Sequence, residues 1–484
     1  MSSNAFRRSR AGRRAAVMAV AAAGVLGLAT PLIAQAPPSS GTPAAPSAVG
    51  TPAASGATTP PATISFDDAL RIALSQSTVI QQARNAEASD ATAVQQQKLQ
   101  FLPDLRVSVS SAQDVGRNFN QSQGAIVDQT SQSMSGGVSS SVTLFNGLKN
   151  VASLQQAQLS QQASGQDVTR ARQTVAYTVA SNYLTLVTAQ EQLGVQQQNL
   201  AAQQAEESQI DKFVKAEERP ISDLYQQQAA VASAQAAVVS AERAVELAKV
   251  DLIQTLQLDP AGQYDFVAPA VNDSAAVGTH FDLDSLMTDA YAHRVDLHAQ
   301  ATRVSAAGAG VKAADASKWP TVSLSAGYNT GFTTAADASV ADQLDQRRGG
   351  SVGIGVSIPI FDNGSTEAAA ERAQLAKNDA QLSLENAKQA VALDVRRAYL
   401  DFESAQQQLA AAEAQQKAAA LAVTTAQQRY QLGAGTLLDV TQAQASEVQA
   451  ASALVNARYT LVFQQATMSY STGTMDPTRL TLGE

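Results

Sequence analysis

The chain has no cysteine. That excludes disulfides, thiolate metal sites and a lipid-bearing N-terminal cysteine, and it is compatible with export to an oxidising compartment. Aromatic residues make up 5% and charged residues 15% of the 484, with one tryptophan and three histidines. His293 and His298 lie five apart, a spacing that does not share a helical face well, and they read as non-ligands. Gly308-Ala309-Gly310 and Gly353-Ile354-Gly355 lack the rest of a dinucleotide loop, and no phosphate-binding loop with Lys and Ser/Thr is present. Asp67 and Asp68 are adjacent and cannot flank a substrate as an acid–base pair. The expectation is therefore a protein that is not an enzyme and has no cofactor and no metal site. A formal charge of −9 argues against nucleic acid as a partner.

Long apolar runs are also scarce. One stretch qualifies, at the start: Arg7, Arg8, Arg10, Arg13 and Arg14 precede an apolar run from Ala15 to Ile33 and then Ala34-Gln35-Ala36. Residues 1–36 read as a signal peptide, with cleavage after Ala34 or Ala36; an uncleaved anchor helix is the alternative, and the paired arginines permit a twin-arginine reading. Losing the five arginines takes the formal charge from −9 to −14. No later segment has 18 consecutive apolar residues, so no spanning helix is expected in the mature chain. Residues 37–62, rich in Pro, Ala, Ser and Thr, read as a flexible linker.

What the chain has in abundance is Ala and Gln, a mix suited to long helices packed closely through small side chains. It also repeats itself. Residues 175–193 (VAYTVASNYLTLVTAQEQL) recur 216 positions later as 391–409 (VALDVRRAYLDFESAQQQL). Within the second copy, Val391, Val395, Ala398, Phe402, Ala405, Leu409 and Ala412 step alternately by four and three, a 3.5-residue period that marks a coiled-coil seam.

Around this duplicated stretch the chain divides into two repeats, 63–277 and 278–484. The first opens with a helix from Phe66 to about Gln100, with Asp67 and Asp68 in its first turn and Pro103 after it. From Leu105 the period becomes two: Leu105, Val107 and Val109 alternate with Arg106, Ser108 and Ser110, a polar loop is expected over 114–135, and a second run goes from Val138 to Phe145. Residues 320–331 and 350–361 repeat this, Val352, Ile354, Val356 and Ile358 alternating with Ser351, Gly353, Gly355 and Ser357. Each run is about ten residues, the length of a tilted strand crossing a bilayer; a soluble two-sided hairpin is the alternative. Hairpins 105–145 and 320–361 are each followed by a long helix (148–215 and 364–432), a turn, and a return helix (222–257 and 438–472). The second repeat begins with a helix over 282–318, after an irregular bridge at 258–281.

A 67-residue helix is about 100 Å long at 1.5 Å per residue, and two 36-residue helices of about 54 Å placed end to end match it. Two hairpins supply four strands, which cannot close a barrel alone, and an open edge in lipid is costly. Several chains must pool strands; three give twelve, an even number within the usual range, whereas two give eight and no obvious pore.

Leu144-Phe145-Asn146-Gly147, Pro359-Ile360-Phe361-Asp362-Asn363-Gly364, Ala290-Tyr291-Ala292-His293-Arg294-Val295-Asp296-Leu297 and Tyr430-Gln431-Leu432-Gly433 followed by Leu438-Asp439-Val440, in this order, resemble the TolC-like outer membrane factors, the exit ducts of efflux pumps and type I secretion systems. The resemblance covers nearly all of the mature chain. It implies a mainly α fold with a small transmembrane β part: coiled helices forming a periplasmic α-barrel, joined to a twelve-stranded β-barrel of a homotrimer in the outer membrane of a Gram-negative bacterium. It implies as partners outer membrane lipid, a periplasmic adaptor and an inner-membrane pump. A periplasmic coiled-coil scaffold that never enters lipid is the alternative; it would share the helices but not the alternating strands.

The resemblance also implies a constriction at the helical turns. Asp439 matches the first acidic position of the family, Gln442 stands where a second Asp is common, and Asp223 and Gln226 occupy the same places in the first repeat. A ring of carboxylates would favour cations. Asp439 and Asp223 could instead simply cap their helices. Tyr430 resembles the family's tip tyrosine, with Asp223 as the matching partner of a gate latch; its alternative is a plain seam residue. Gly435 sits where an Arg often adds a second link, which suggests a weaker latch or one differently made. Gly433, Ala434, Gly435 and Thr436, with Pro220 and Ile221, form the expected adaptor-docking tip, and Gly433 can also be a helix stop. Trp319 before Pro320 suits an aromatic belt at the membrane boundary or plain packing.

Overall fold

A computed structural model of the chain describes residues 62–120, 124–267 and 280–478. The signal peptide expected over 1–36 and the linker over 37–61 lie outside the described residues, as do 268–279 of the bridge. The elements run β1 (Ala62–Ile64), α1 (Phe66–Gln76), α2 (Thr78–Leu99), β2 (Arg106–Asn120), β3 (Ala125–Asn146), α3 (Lys149–Lys215), α4 (Ile221–Leu256), β4 (Tyr264–Phe266), α5 (Leu283–His293), α6 (Val295–Asp315), β5 (Thr321–Thr333), α7 (Val340–Gln346), β6 (Gly349–Ser357), α8 (Ser365–Gln431) and α9 (Leu437–Thr472). The pairs α3/α8 and α4/α9 have identical lengths, 67 and 36 residues, and the same 216-residue spacing. None of the described helices is long and apolar enough to cross a membrane.

The predicted seam is the core of the second repeat: Val391, Val395, Ala398, Phe402, Ala405, Leu409 and Ala412 are all buried in one cluster with Leu286, Ala290 and Leu461. The first repeat buries the equivalent stretch around Tyr183, whose ring meets Phe66 and Phe266 edge to face at 5.3 and 6.3 Å. The Tyr183 hydroxyl donates to the carbonyls of Ile64 and Val267. It thereby fastens a two-stranded parallel pair, β1 with β4, that periodicity did not reveal because each strand is three residues long. Ala62, expected to end the linker, is already part of this pair.

Both opening helices, expected to be continuous, are broken. The first is interrupted at Ser77 (φ −53°, ψ 125°), the second at Arg294 (φ −67°, ψ 106°). At Arg294 the cause is a buried guanidinium: it donates to Asp296 at 2.9 and 2.6 Å and to the Ser471 carbonyl at 3.2 Å, which requires the backbone to leave the helix. A 3₁₀ turn at Ala316–Lys318 then ends the segment expected to be helical to 318.

The four long strands form one antiparallel sheet in the order β2-β3-β5-β6. The loop expected over 114–135 is largely strand instead: the ladder runs from Arg106↔Ser139 to Asn120↔Ala125. Bulky apolar residues are sparse there, Val115 and Phe119 standing four apart among Asp, Gly, Arg and Asn, so no period of two shows although the backbone ladder continues. In the other hairpin, β6 ends at Ser357, short of the expected 361, and α7 occupies the connection. Across the sheet the two faces separate by chemistry. Val107 pairs with Val138 and Val138 with Tyr328, while Val142 pairs with Leu324 and Leu324 with Ile354. On the other face Ser141 pairs with Ser325 and Ser325 with Gly353.

Each strand-to-helix junction places two consecutive residues in the left-handed region: Gly147 and Leu148 (φ 67° and 68°), and Asn363 and Gly364 (φ 55° and 75°). A Cβ on Gly147 would lie 2.5 Å from the Ala316 carbonyl oxygen and 2.7 Å from Trp319 Cβ, whereas one on Gly364 would meet nothing. Trp319 thus packs its inner edge on Gly147 while its side chain stays 61% exposed at the junction of helix and sheet. Gly364→Ala is expected to cost about 1–2 kcal/mol from the left-handed backbone alone. Gly147→Ala costs more because the methyl also displaces Trp319; thermal melts followed by circular dichroism check the order.

Candidate functional site

The site lies where each long helix turns back into its return helix. In the second repeat, Gly433 at φ 71° stops α8, with Gly433 N–H donating to the Tyr430 carbonyl at 3.0 Å and Ala434 N–H to the Arg429 carbonyl at 2.8 Å. The same bonds recur in the first repeat around Glu217 (φ 59°), from Glu217 N–H to Val214 and from Glu218 N–H to Phe213. In each repeat the acidic candidate is the third residue of the return helix, so neither Asp439 nor Asp223 is itself the N-cap.

The two acids have different occupations. Thr436 caps α9, and its N–H and hydroxyl each donate to Asp439 Oδ2 at 2.9 Å while Asp439 N–H donates to Thr436 Oγ1 at 3.3 Å, a reciprocal capping box. These bonds from Thr436, with a smaller contribution from Arg429, hold the Asp439 carboxyl below the usual carboxylate range. Asp439 remains fully exposed and ionised. The first-repeat counterpart of Thr436 is Pro220, which has neither an N–H nor a hydroxyl to offer. Asp223 is consequently free of a capping box and accepts the Tyr430 hydroxyl at 3.1 Å from the other repeat.

Tyr430 is buried and sits in a small apolar layer with Ile210, Leu437 and Val440. Burial first, and then the bond to Asp223, push its phenol up to about 12. Arg219 completes the arrangement. Its guanidinium lies 4.3 Å over the Tyr430 ring and donates to the Tyr430 carbonyl at 2.7 Å. Arg219 stands 216 positions before Gly435. The arginine that the second repeat lacks is thus supplied, at the equivalent position, by the first. Sequence reasoning gave Arg219 no role; the internal alignment of Arg219-Pro220 on Gly435-Thr436 was the available signal. Gly435 itself lies tight against Arg429, 3.2 Å from its Cβ to a Cβ built there.

The other candidates are not brought together within one chain: Gln442 and Gln226 are exposed on α9 and α4. Ile221, Leu432 and Leu438 leave apolar side chains exposed around the turns. A second feature was not foreseen. Behind the apolar layer, Gln203, Gln227 and Gln444 are buried together, linking α3, α4 and α9.

The sequence model described as "Outer membrane efflux protein" matches residues 69–256 and 286–474. The outer membrane efflux protein BepC of Brucella suis is 25% identical over 346 residues, 72% of this chain and 73% of that protein. The pyoverdine export outer membrane protein OpmQ of Pseudomonas putida is 25% identical over 359 residues, with the same coverage of each. The crystal structure of the outer membrane protein VceC of Vibrio cholerae superposes with a TM-score of 0.71 at 19% identity, over 84% of this chain and 96% of that one.

Tyr430→Phe and Arg219→Ala are each expected to loosen the packing of the two turns by about 1–2 kcal/mol, and the double variant by less than the sum because both act through Tyr430. Hydrogen exchange of the amides over 429–439 measures this. The raised phenol value means that the protonated hydroxyl is the stabilising form. Its contribution is intact below the ordinary value of 10 and disappears as pH rises through about 12. Subtracting the ultraviolet titration of Tyr430→Phe from that of the parent should isolate this step.

Proposed function

The chain belongs to the outer membrane efflux protein family and is an outer membrane efflux channel, and from this premise we propose that it works as a passive homotrimeric exit duct without enzymatic activity, gated at its helical turns. The observation that carries the proposal is the sheet. One face is Val, Ile and Leu and the other Ser and Gly, and its outer strands β2 and β6 each have one side without a partner strand among the described residues. In hydrocarbon those edges must be satisfied, and the nearest complementary edge belongs to another copy. Three copies close twelve strands around the Ser/Gly face. A scaffold that stays in the periplasm has no use for the exposed apolar face made by Val107, Val109, Val352 and Ile354.

The helices favour the same association. Leu375, Leu382, Leu393 and Leu400 are each more than half exposed and follow one another at 7, 11 and 7 positions, so they form one stripe along α8 available to a neighbouring copy. In this trimer the acids of the turns form rings, with Asp439 and Gln442 from the second repeat and Asp223 and Gln226 from the first. Asp439 presents its carboxylate to the ring, whereas the Asp223 side chain is turned to the Tyr430 hydroxyl. The Tyr430–Asp223–Arg219 cluster is the closing latch. Gly433, Ala434, Gly435 and Thr436, with Pro220 and Ile221, offer a small-residue tip edged by apolar side chains to a periplasmic adaptor, through which the duct reaches an inner-membrane pump. Residues 1–36 would direct export to this location, and 63–277 and 278–484 act as the two repeats.

Three measurements test the proposal. The purified protein should migrate as a heat-resistant oligomer and conduct in planar bilayers; a monomeric, non-conducting protein would overturn it. Ile354→Arg on the apolar face should cost about 2–4 kcal/mol at the bilayer midplane and deplete the oligomer from outer membranes, while Ser325→Arg on the opposite face leaves insertion intact. Asp439→Asn keeps an acceptor for Thr436 but removes the charge, and should weaken block by divalent cations severalfold; unchanged block would take Asp439 out of the ring.

A further inference from the structure

Three glutamines buried in a seam of small apolar residues are unusual, because an amide away from water must be hydrogen-bonded to be tolerated. Gln227 is fully buried, and its Nε2 donates to the Gln203 side-chain oxygen at 2.7 Å and to the Gln203 carbonyl at 2.9 Å. Gln203 Nε2 in turn donates to Gln444 Oε1 at 3.0 Å, with Asn199 Oδ1 at 3.4 Å as an additional acceptor. The first contacts lie within the coil of α3 and α4; the bond to Gln444 crosses to α9.

We propose that Gln203–Gln444 is a second tie between the two coils, set about two turns above the tyrosine latch along α3, and that Asn199 makes it reversible. The proposal rests on the gated-duct reading above. When α9 moves away from α3, Gln203 Nε2 loses Gln444. A buried donor with no other acceptor would then be orphaned, at about 1–3 kcal/mol. Here Asn199 Oδ1, one turn earlier on α3 and already 3.4 Å away, remains as an acceptor within the same coil. Gln444, carried off with α9, exchanges its partner for water. The closed state therefore gains a bond between the coils, while the open state is spared a buried unpaired donor. A Leu at these positions would glue the coils without that release, and a charged residue would not be tolerated in the closed seam.

The two ends of the chain of amides then act with opposite sign. Gln444→Ala removes the acceptor that exists only when the coils touch, so it favours separation. Asn199→Ala removes the substitute acceptor, so separation leaves Gln203 without one and the closed arrangement is favoured. About 1 kcal/mol per bond corresponds to a change of about fivefold in open probability. The experiment records single channels in planar bilayers for the parent, Gln444→Ala and Asn199→Ala. In parallel it measures distances between spin labels at Gln204→Cys and Ser446→Cys, exposed sites on α3 and α9 in a chain with no cysteine of its own. The expected result is higher open probability and a longer distance for Gln444→Ala, and the reverse for Asn199→Ala. Shifts of both variants in one direction, or no shift in a conducting protein, overturn the tie and leave the glutamines as packing. A silent parent whose label distances still move oppositely supports the tie and removes the duct.

Discussion

A strand edge in hydrocarbon has no water to satisfy its amides and carbonyls, and the sheet of this chain has two open edges. β2 and β6 flank a sheet with one face of Val, Leu and Ile and the other of Ser and Gly. The constraint reaches well beyond the sheet. In the proposed duct, strands that meet in a closed ring fix where each pair of long helices begins, and the left-handed pairs at Gly147-Leu148 and Asn363-Gly364 turn the chain sharply from sheet to helix at those points. The helices inherit the arrangement, and α8 leaves a row of leucines uncovered on the side away from its own seam.

Duplication gave the chain two equal halves, and the polar contact between the turns depends on where the equality fails. The long and return helices match in length, but the turns differ in sequence, and three of the differing aligned positions make the contact: Val214 against Tyr430, Arg219 against Gly435, Pro220 against Thr436. Each difference has a physical consequence that needs the others. Pro220 cannot hold Asp223 in a capping box, so Asp223 can receive a hydroxyl. Tyr430 supplies that hydroxyl, where Val214 could not. Arg219 covers the ring and binds its carbonyl, where glycine could not. Had both turns kept Thr436-like caps, both acids would be occupied within their own helices and nothing polar would join the repeats there.

This also explains how far the sequence could be read. Periodicity identified the elements whose side chains repeat along one face: the seam from Val391 to Ala412, the alternating strands, the two long helices. It was blind where structure depends on partners distant in sequence. The break at Arg294 follows from Asp296 and the Ser471 carbonyl, not from any local helix breaker. The three-residue strands β1 and β4 exist because Tyr183 and the aromatic cluster around it hold them together. Beyond Ser111, β2 keeps only Val115 and Phe119 as bulky apolar residues, four apart, so its ladder with β3 could not be told from a loop. Tyr430 and Asp223 were legible as a pair through family resemblance, whereas Arg219 was hidden in a turn where charge is ordinary.

The abundance of glutamine in these coils gains a physical meaning from the same argument. Helices that must pack in one arrangement and later slide cannot rely on charge in the seam, since removing one partner of a buried ion pair leaves a cost of several kcal/mol. Pure hydrocarbon has the opposite fault: it binds without specifying register, and many neighbouring alignments are nearly equal in energy. An amide lies between the two. It carries donor and acceptor on one side chain, so it specifies a partner, and it can find a new one by rotation without changing its charge. Where Gln203 donates to Gln444 across the coils and to Asn199 on its own helix, both alternatives are within reach of a single side chain. A tie of this kind is specific enough to define the closed register and weak enough to be released by a partner pulling on the turns.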